Sequence, residues 1–518
     1  MHLDRAACYR AVLTRDARFD GRFFTAVRTT GIYCRPICPA RPPKLEHIVF
    51  YPSAAAAQAA GFRPCLRCRP ETSPDVAAWH GTSSTVSRAM RLIAAGALDD
   101  DDMQGFAARL GVGERQLRRL FQQHLGASPR AVAQTRRVLF AKQLITETKL
   151  PLTKIAFAAG FGSVRRFNDT FRRLYDRPPR LLRRSGNGVD AKAGEITLTL
   201  PFRPPYDWGA IVSFLGPRAI PGVERVDDDC YARTITINGV SGTIAVRPSP
   251  QSNQASALSA AIRFPLLTAL PAIVDRIRHI FDLGADPEVI GRHLSEDASL
   301  AHLIAARPGL RVPGAWDGFE LAVRGILGQQ ISVAAATQLA GKLVAAFGTP
   351  VQPADDSLFA GLTHVFPSPD RLAGAELGAK LGMPRARAAA ISSMAAAAAR
   401  ERGLFDANQG LEAAVRRLTA LPGIGEWTAH YIAMRALREP DAFPATDIGL
   451  LRAAEGPDGR PTPRALLARA EAWRPWRAYA ALHLWTAGAL SGAKPIEEPH
   501  ATPVSSRRGA DRTHMARL

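Results

Sequence analysis

Apolar and polar positions follow three successive rhythms along this chain. Between about residues 84 and 183, apolar side chains recur at helical spacing. Phe106, Ala107 and Leu110 lead to Leu117, Leu120 and Phe121, and Ile155, Ala156 and Ala159 lead to Phe167 and Phe171. Such stripes bury one side of a helix and leave the other to charge. The period then shortens to two: Glu195-Ile-Thr-Leu-Thr-Leu, Arg233-Thr-Ile-Thr-Ile and Gly242-Thr-Ile-Ala-Val alternate as strands do. From Pro313 onward the pattern is helical again, beginning with an amphipathic segment from Phe319 to Ala334. Breaker-rich or polar stretches separate these regions at 70–84 and 184–194, and a polar, Pro- and Arg-containing tail at 491–518 is expected to be disordered. The expected architecture is multidomain, mainly α with α+β parts. Its units are residues 1–75, 84–183, a linker at 184–194, a small α/β domain at 195–310, an all-α domain at 311–490 and the tail.

The two helical blocks near the start repeat one design: a small-residue helix, a glycine turn, then a basic helix. Gly111 and Gly160 permit the turns, and the second helices are Arg-rich on the side opposite their apolar residues. Arg115, Gln116, Arg118 and Arg119 in the first, and Ser163, Arg165, Arg166 and Asn168 in the second, are placed to meet base edges or phosphates. Other paired amphipathic helices share this spacing. The doubled motif, with Pro151-Leu-Thr-Lys between and Tyr175-Asp-Arg-Pro-Pro-Arg after it, resembles the AraC-type DNA-binding domain. That resemblance implies duplex DNA bound by two helix-turn-helix modules in neighbouring major grooves, and a role in transcription with RNA polymerase as a further partner.

Before these helices stand four of the six cysteines, as Cys34-x3-Cys38 and Cys65-x2-Cys68. Two short clips separated by a returning loop let four thiolates converge on one Zn²⁺. Disulfides are the competing reading. They are disfavoured because Met1 to Phe24 mixes Arg and Asp without an apolar core segment, which leads us to expect a cytoplasmic, nucleoid-associated protein. Arg28, Arg35, Arg41, Lys44, Arg63, Arg67 and Arg69 crowd the same stretch and anticipate an anionic partner, or else form a solvated basic face around a folding staple. The run from Arg28 through Cys34 to Cys38, with Ala60-Gly-Phe-Arg-Pro-Cys65-Leu-Arg-Cys68, resembles the N-terminal domain of the Ada family. The resemblance implies that Cys34 is both a zinc ligand and the irreversible acceptor of a methyl group from a DNA methylphosphotriester, and that Cys38, Cys65 and Cys68 are ligands only. A zinc tetrathiolate is formally a dianion that repels phosphate. Methylating Cys34 removes one negative charge, so methylation is expected to raise DNA affinity.

Charge broadens this picture. The 518-residue chain carries net charge +21, with a pI near 10.5, spread over most of its length. That suits a nucleic-acid partner, although a generally basic composition gives the same number. No apolar run is long and charge-free enough for a membrane.

The last helical region holds Leu421-Pro-Gly-Ile-Gly-Glu-Trp-Thr-Ala429, in which Gly423 and Gly425 free the backbone N–H groups at a helix start for a phosphate. Alone, this hairpin signifies non-specific DNA contact. Asp447, in Phe443-Pro-Ala-Thr-Asp-Ile-Gly, is placed to face a flipped nucleotide, and is equally suited to cap a helix. Gly328-Gln329, the hairpin and Asp447 in this order resemble the helix-hairpin-helix DNA glycosylases. Pro204 to Trp208 with Trp473-Arg-Pro-Trp-Arg-Ala-Tyr479 narrow the resemblance to the AlkA-type 3-methyladenine glycosylases over residues 195–490. It implies Asp447 as the catalytic carboxylate, and Trp427, Tyr431, Trp476 and Gln329 around the extruded base. Gln330 falls where a hydrophobic wedge would fill the vacated stack. Aromatic walls suit a cationic alkylated base, yet such tryptophans also serve as core residues. Trp427 stands where lyase relatives carry a lysine, and no cysteines follow for an iron–sulfur cluster, so a monofunctional glycosylase is expected. A Pro-Cys-His-Arg motif, the second methyl acceptor of Ada proteins, is absent. The competing expectation is a regulator of the alkylation response whose second half only binds DNA.

Overall fold

The computed structural model describes residues 4–74, 84–99, 102–183, 194–249, 256–352, 357–401, 403–406, 410–456 and 459–490. The expected linker, apart from Gly194, and the tail lie outside them.

The first domain opens with helix Arg5–Thr14, whose N-cap Asp4 accepts from the backbone N–H groups of Ala6 and Ala7. A four-stranded sheet follows, in the order Ile48–Tyr51, Phe24–Val27, Ile32–Cys34, Arg63–Pro64. The last two strands run parallel, with Tyr33 opposite Pro64, so the register sets the start of one cysteine clip, Cys34, beside the start of the other, Cys65. The breaker-rich stretch does not begin as a linker: Pro70–Thr72 is a 3-10 turn with Pro70 and Glu71 buried. Glu71 is held there by Lys142, which is itself buried and lies 2.8 Å away.

The helix-turn-helix pair is built as its pattern predicts. Helices Met103–Arg109 and Glu114–Leu125 form one module, Leu152–Ala158 and Val164–Tyr175 the other, and the long helix Pro129–Glu147 joins them. Gly111 and Gly160 take positive φ, and a Cβ on Gly160 would stand 2.2 Å from the Asp99 carboxylate. Phe167, Phe171 and Tyr175 share one apolar core with Ile196, Leu198 and Leu200 of the next domain.

That next domain is a five-stranded antiparallel sheet in the order Glu195–Pro201, Ala257–Arg263, Val240–Pro248, Tyr231–Ile237, Glu224–Val226. Strand Ala257–Arg263 escaped the alternation test because both of its faces carry small apolar residues, a signature of burial on two sides. Packing crosses the expected boundary at 310. Ile290, Leu294, Leu300 and Ile304 belong to the core of the helical domain, and helix Ala298–Ala306 packs on Arg477–Leu490. Among the described residues, no helix is long and apolar enough to cross a membrane.

The domains interlock through buried and half-buried charged groups. Arg22 grips Asp286 through Nε and Nη2 at 2.7 and 2.6 Å, with side chains only 7% and 2% exposed. Arg69 joins Glu147, whose other oxygen accepts the Thr199 N–H. Arg91 donates to the Arg438 carbonyl. Removing one partner of such a pair costs about 3–5 kcal/mol, because a buried charge is left behind. The zinc-type domain is thereby fixed to the rest of the molecule.

Candidate zinc centre and DNA-processing site

The four sulfurs of Cys34, Cys38, Cys65 and Cys68 lie within 4.8 Å of one another. A tetrahedral zinc with bonds of about 2.3 Å places its sulfurs roughly 3.8 Å apart, so the quartet fits that ion. Backbone N–H groups support the sulfurs: Arg35 N points at Cys68 Sγ at 3.3 Å, and Arg67 N at Cys65 Sγ at 3.4 Å. Such donors offset thiolate charge without adding a ligand. Cys34 keeps partial exposure, while Cys65 and Cys68 are buried. The cysteine expected to react is thus also one that solvent and DNA can approach.

The basic cluster around the quartet divides in two. Arg28, Arg41, Lys44 and Arg67 are exposed, as an anion-facing set requires. Arg35 and Arg69 are not part of it. Arg35 is buried and spends its guanidinium on Asp20, the Cys68 carbonyl and Thr72, while Arg69 pairs with Glu71 and Glu147. Sequence density cannot tell an outward arginine from one that braces the fold.

In the helix-turn-helix pair, Arg115, Arg118 and Arg119 are exposed on Glu114–Leu125, and Arg165 and Arg166 on Val164–Tyr175. Arg118 is steadied by Glu114 at 2.7 Å. Ser163 serves as the N-cap of its helix, accepting from Arg166 N, and so has less freedom to read bases.

The second site centres on Asp447, which caps a helix and also takes two indole donors on its carboxylate. Its Oδ1 accepts from Leu450 N at 2.8 Å as the N-cap of helix Ile448–Ala453. Trp427 Nε1 donates to Oδ2 and Trp485 Nε1 to Oδ1, each at 2.8 Å. Three N–H donors therefore aim a buried carboxylate from three directions. Trp427 stacks on Tyr431 with ring centroids 5.2 Å apart and planes 9° from parallel. Both rings remain half-exposed and offer a flat, electron-rich wall beside the carboxylate. Burial raises the Tyr431 phenol, but Arg435 and Arg218 together bring it below its ordinary value. Arg435 Nη1 donates to the Tyr431 hydroxyl at 2.6 Å, and the guanidiniums of Arg218 and Arg435 lie 4.0 and 4.8 Å from the Phe214 ring centroid.

Trp476 stands elsewhere. It is buried, meets Tyr479 edge-on at 5.9 Å, and lines a cavity of about 330 Å³ between the regulatory and helical halves together with Arg91, His279 and Arg438. Trp476 precedes helix Arg477–Leu490, whereas Trp485 lies on it, and it is this helix that packs on the one Asp447 caps. Trp485, rather than Trp476, stands beside Asp447, and sequence reasoning did not single it out, nor Phe214, Arg218 and Arg435 around Tyr431. No local spacing marks them; the contact between two helices distant in sequence does. Gln329 is also committed differently. Its side-chain amide donates to the Gly423 carbonyl at 2.9 Å and its backbone carbonyl accepts from Arg387, so it braces one loop against the hairpin.

Gln330, next to it, is exposed at φ +61 on the turn between helices Gly318–Leu327 and Val333–Phe347. Gly423 has φ +81, and a Cβ there would meet the Ala390 Cβ at 2.4 Å. Gly425 caps helix Glu426–Arg435 with open space before it. This leaves bare backbone at a helix start, the arrangement that receives a phosphate.

Four family models match the chain in succession. They are the metal binding domain of Ada over residues 7–71, a helix-turn-helix domain over 106–185, the AlkA N-terminal domain over 197–317, and the HhH-GPD superfamily of base excision DNA repair proteins over 323–478. A Mycobacterium tuberculosis protein described as a probable bifunctional transcriptional activator/DNA repair enzyme AlkA is 44% identical over 490 residues, covering 94% of this chain and 97% of its own. DNA-3-methyladenine glycosylase 2 of Escherichia coli is 35% identical over 289 residues, 55% of this chain and 96% of that protein. The Escherichia coli bifunctional transcriptional activator/DNA repair enzyme Ada is 36% identical over 156 residues, 30% of this chain and 42% of that protein.

Proposed function

The chain belongs to the family of bifunctional transcriptional activator/DNA repair enzymes, and from that premise we propose that it excises alkylated bases from DNA at Asp447 and accepts one methyl group from DNA at Cys34. The observation that carries the first activity is the Asp447 carboxylate held by Trp427, Trp485 and Leu450 beside a stacked aromatic wall. An extruded base alkylated on a ring nitrogen is cationic and stacks on the Trp427–Tyr431 face. As the bond from sugar to base lengthens, its electron pair leaves with the base and positive charge moves to the sugar, opposite the fixed carboxylate. Water then adds to the sugar and an abasic site remains. Gln330 enters the stack the base vacates and Gly423 and Gly425 hold a neighbouring phosphate. Because Trp427, not a lysine, stands at the hairpin, the reaction ends at base release.

Cys34, Cys38, Cys65 and Cys68 would hold the zinc ion, which would keep the Cys34 sulfur as a nucleophilic thiolate. There Cys34 Sγ attacks the methyl carbon of a methylphosphotriester: the S–C bond forms, the C–O bond breaks, and the phosphodiester leaves with the electron pair. The resulting thioether is not reopened, so one chain takes one methyl group. With one negative charge gone, phosphates approach more closely, and Arg115, Arg118, Arg119, Arg165 and Arg166 hold duplex promoter DNA. RNA polymerase is the protein partner that this regulatory reading implies.

The test is Asp447→Asn. Base release from methylated duplex should collapse while DNA binding persists or rises, because the substituted side chain no longer repels phosphate. Unchanged release would remove Asp447 from the chemistry and favour a second half that only binds DNA.

A further inference from the structure

The zinc quartet and the glycosylase half are joined by hydrogen bonds on either side of one backbone segment, Asp20, Gly21 and Arg22. Arg35 follows Cys34 directly. Its backbone N–H points at Cys68 Sγ and its Nη1 donates to the Cys68 carbonyl at 3.1 Å, so its position depends on the Cys65–Cys68 clip. Its Nε donates to Asp20 Oδ1 at 2.9 Å, and its Nη2 pairs with Asp20 Oδ2. The Asp20 backbone oxygen in turn accepts Arg203 Nε at 3.1 Å. Two residues on, Arg22 grips Asp286, the N-cap of helix Pro287–Leu294, and reaches Glu288 at 3.0 Å. Between them Gly21 has φ +75, and a Cβ there would stand 2.5 Å from the Pro74 carbonyl and 2.8 Å from Arg203 Nη2. The seam is closed to any side chain.

We propose that zinc binding at the quartet is coupled to the stability of helices Pro287–Leu294 and Ala298–Ala306 through Arg35, Asp20 and Arg22, so that the sensor domain clamps the glycosylase half. The inference rests on zinc occupying the quartet, but not on methyl transfer or on Asp447. Without the ion, the four sulfurs lose the centre that ties them together and the Cys65–Cys68 clip loses its anchor. Arg35 then loses the Cys68 carbonyl, and Asp20 loses its fixed partner. As Arg22 withdraws, buried Asp286 keeps the Val289 N–H of the helix it caps and, as its nearest cation, only Arg203, 3.9 Å away. A buried carboxylate stripped of its two-pronged partner destabilises the helix that it caps. The residues of these helices are core of the glycosylase domain, where Ile290, Leu294, Leu300 and Ile304 pack. Coupling of this kind is reciprocal, so holding the helices folded also favours zinc at the quartet.

Hydrogen exchange on the full chain tests it, zinc-loaded and after chelation, in the wild type and in Arg22→Gln. In the wild type, chelation should speed exchange over residues 287–306 by roughly tenfold, a typical coupling between contacting groups. In Arg22→Gln exchange there should be fast already, and chelation should change it by less than about twofold. Arg22→Lys, which keeps the charge, should restore part of the zinc dependence, and it gives the same comparison if the glutamine variant fails to fold. Acceleration of equal size in wild type and variant, or no acceleration in the wild type, overturns the proposal.

Discussion

Cys34, Cys38, Cys65 and Cys68 come from one short stretch and meet through the pairing of two adjacent strands, whereas Asp447 takes its partners from the hairpin helix, its own helix and helix Arg477–Leu490. The first assembly is a zinc site in which Cys34 and Cys38 are partly exposed, and under the proposed function Cys34 is consumed by a single methyl group. The second holds a carboxylate by three neutral N–H donors, changes nothing covalent in the protein and can act repeatedly. What separates them is whether the reactive atom is spent: a sensor records an event, and a repair enzyme must return to its starting state.

Separating the two sites gives the largest expected effect. In Cys34→Ala, kept in excess zinc, methyl label retained on the protein should fall to nothing while base release continues; retained label in that variant would show another acceptor. Asp447→Asn should do the reverse, lowering base release by roughly 10²–10³-fold, as loss of a charge that stabilises the transition state does, with retained label unchanged.

A smaller effect distinguishes the two tryptophans. Trp485→Phe removes a donor to a buried carboxylate, a bond worth about 1.5–3 kcal/mol, and should slow release by roughly 10- to 100-fold. Trp476→Phe should change release by less than about threefold, since substitutions away from the reacting groups act mainly on stability. Equal losses in the two variants would mean that Trp476 also supports the carboxylate.

Acid should separate the halves more gently. His483, on helix Arg477–Leu490, is pushed down to about 4 from 6.5, by burial first and by Arg307 second. Between those values the unfolded chain binds a proton that the folded chain refuses. Stability is therefore complete above about pH 6.5 and declines as pH falls toward 4, by up to about 3 kcal/mol. His483→Gln should flatten that decline in thermal melts, while the zinc domain should still lose its metal in acid as its thiolates protonate. An unaltered slope would place the acid sensitivity in other groups.

The cysteine quartet, the doubled helix-turn-helix and the hairpin glycines were all legible in the sequence, because each is defined by residues close together in the chain. Gly160 had to be glycine for reasons that its turn announces, and Asp447 was marked by its place after the hairpin. Trp485 was not legible, since its role depends on which face of a late helix packs on the helix Asp447 caps; Trp476, in a more conspicuous aromatic run, drew the assignment instead. Arg35 and Arg69 read as surface charge because a buried arginine needs an acid elsewhere, here Asp20, Glu71 or Glu147, that no local pattern records. Strand Ala257–Arg263 was silent because burial on both faces erases alternation.

The most direct test of the account is to incubate zinc-loaded protein with duplex DNA carrying labelled methyl groups, and to count label released as free base and label retained on protein in the same sample. Released methylated base should exceed the protein and still be rising after retained label has levelled off at one per chain. Released base that stops at or below one per chain, or retained label that never appears, would contradict a spent sensor and a recurrent enzyme sharing one polypeptide.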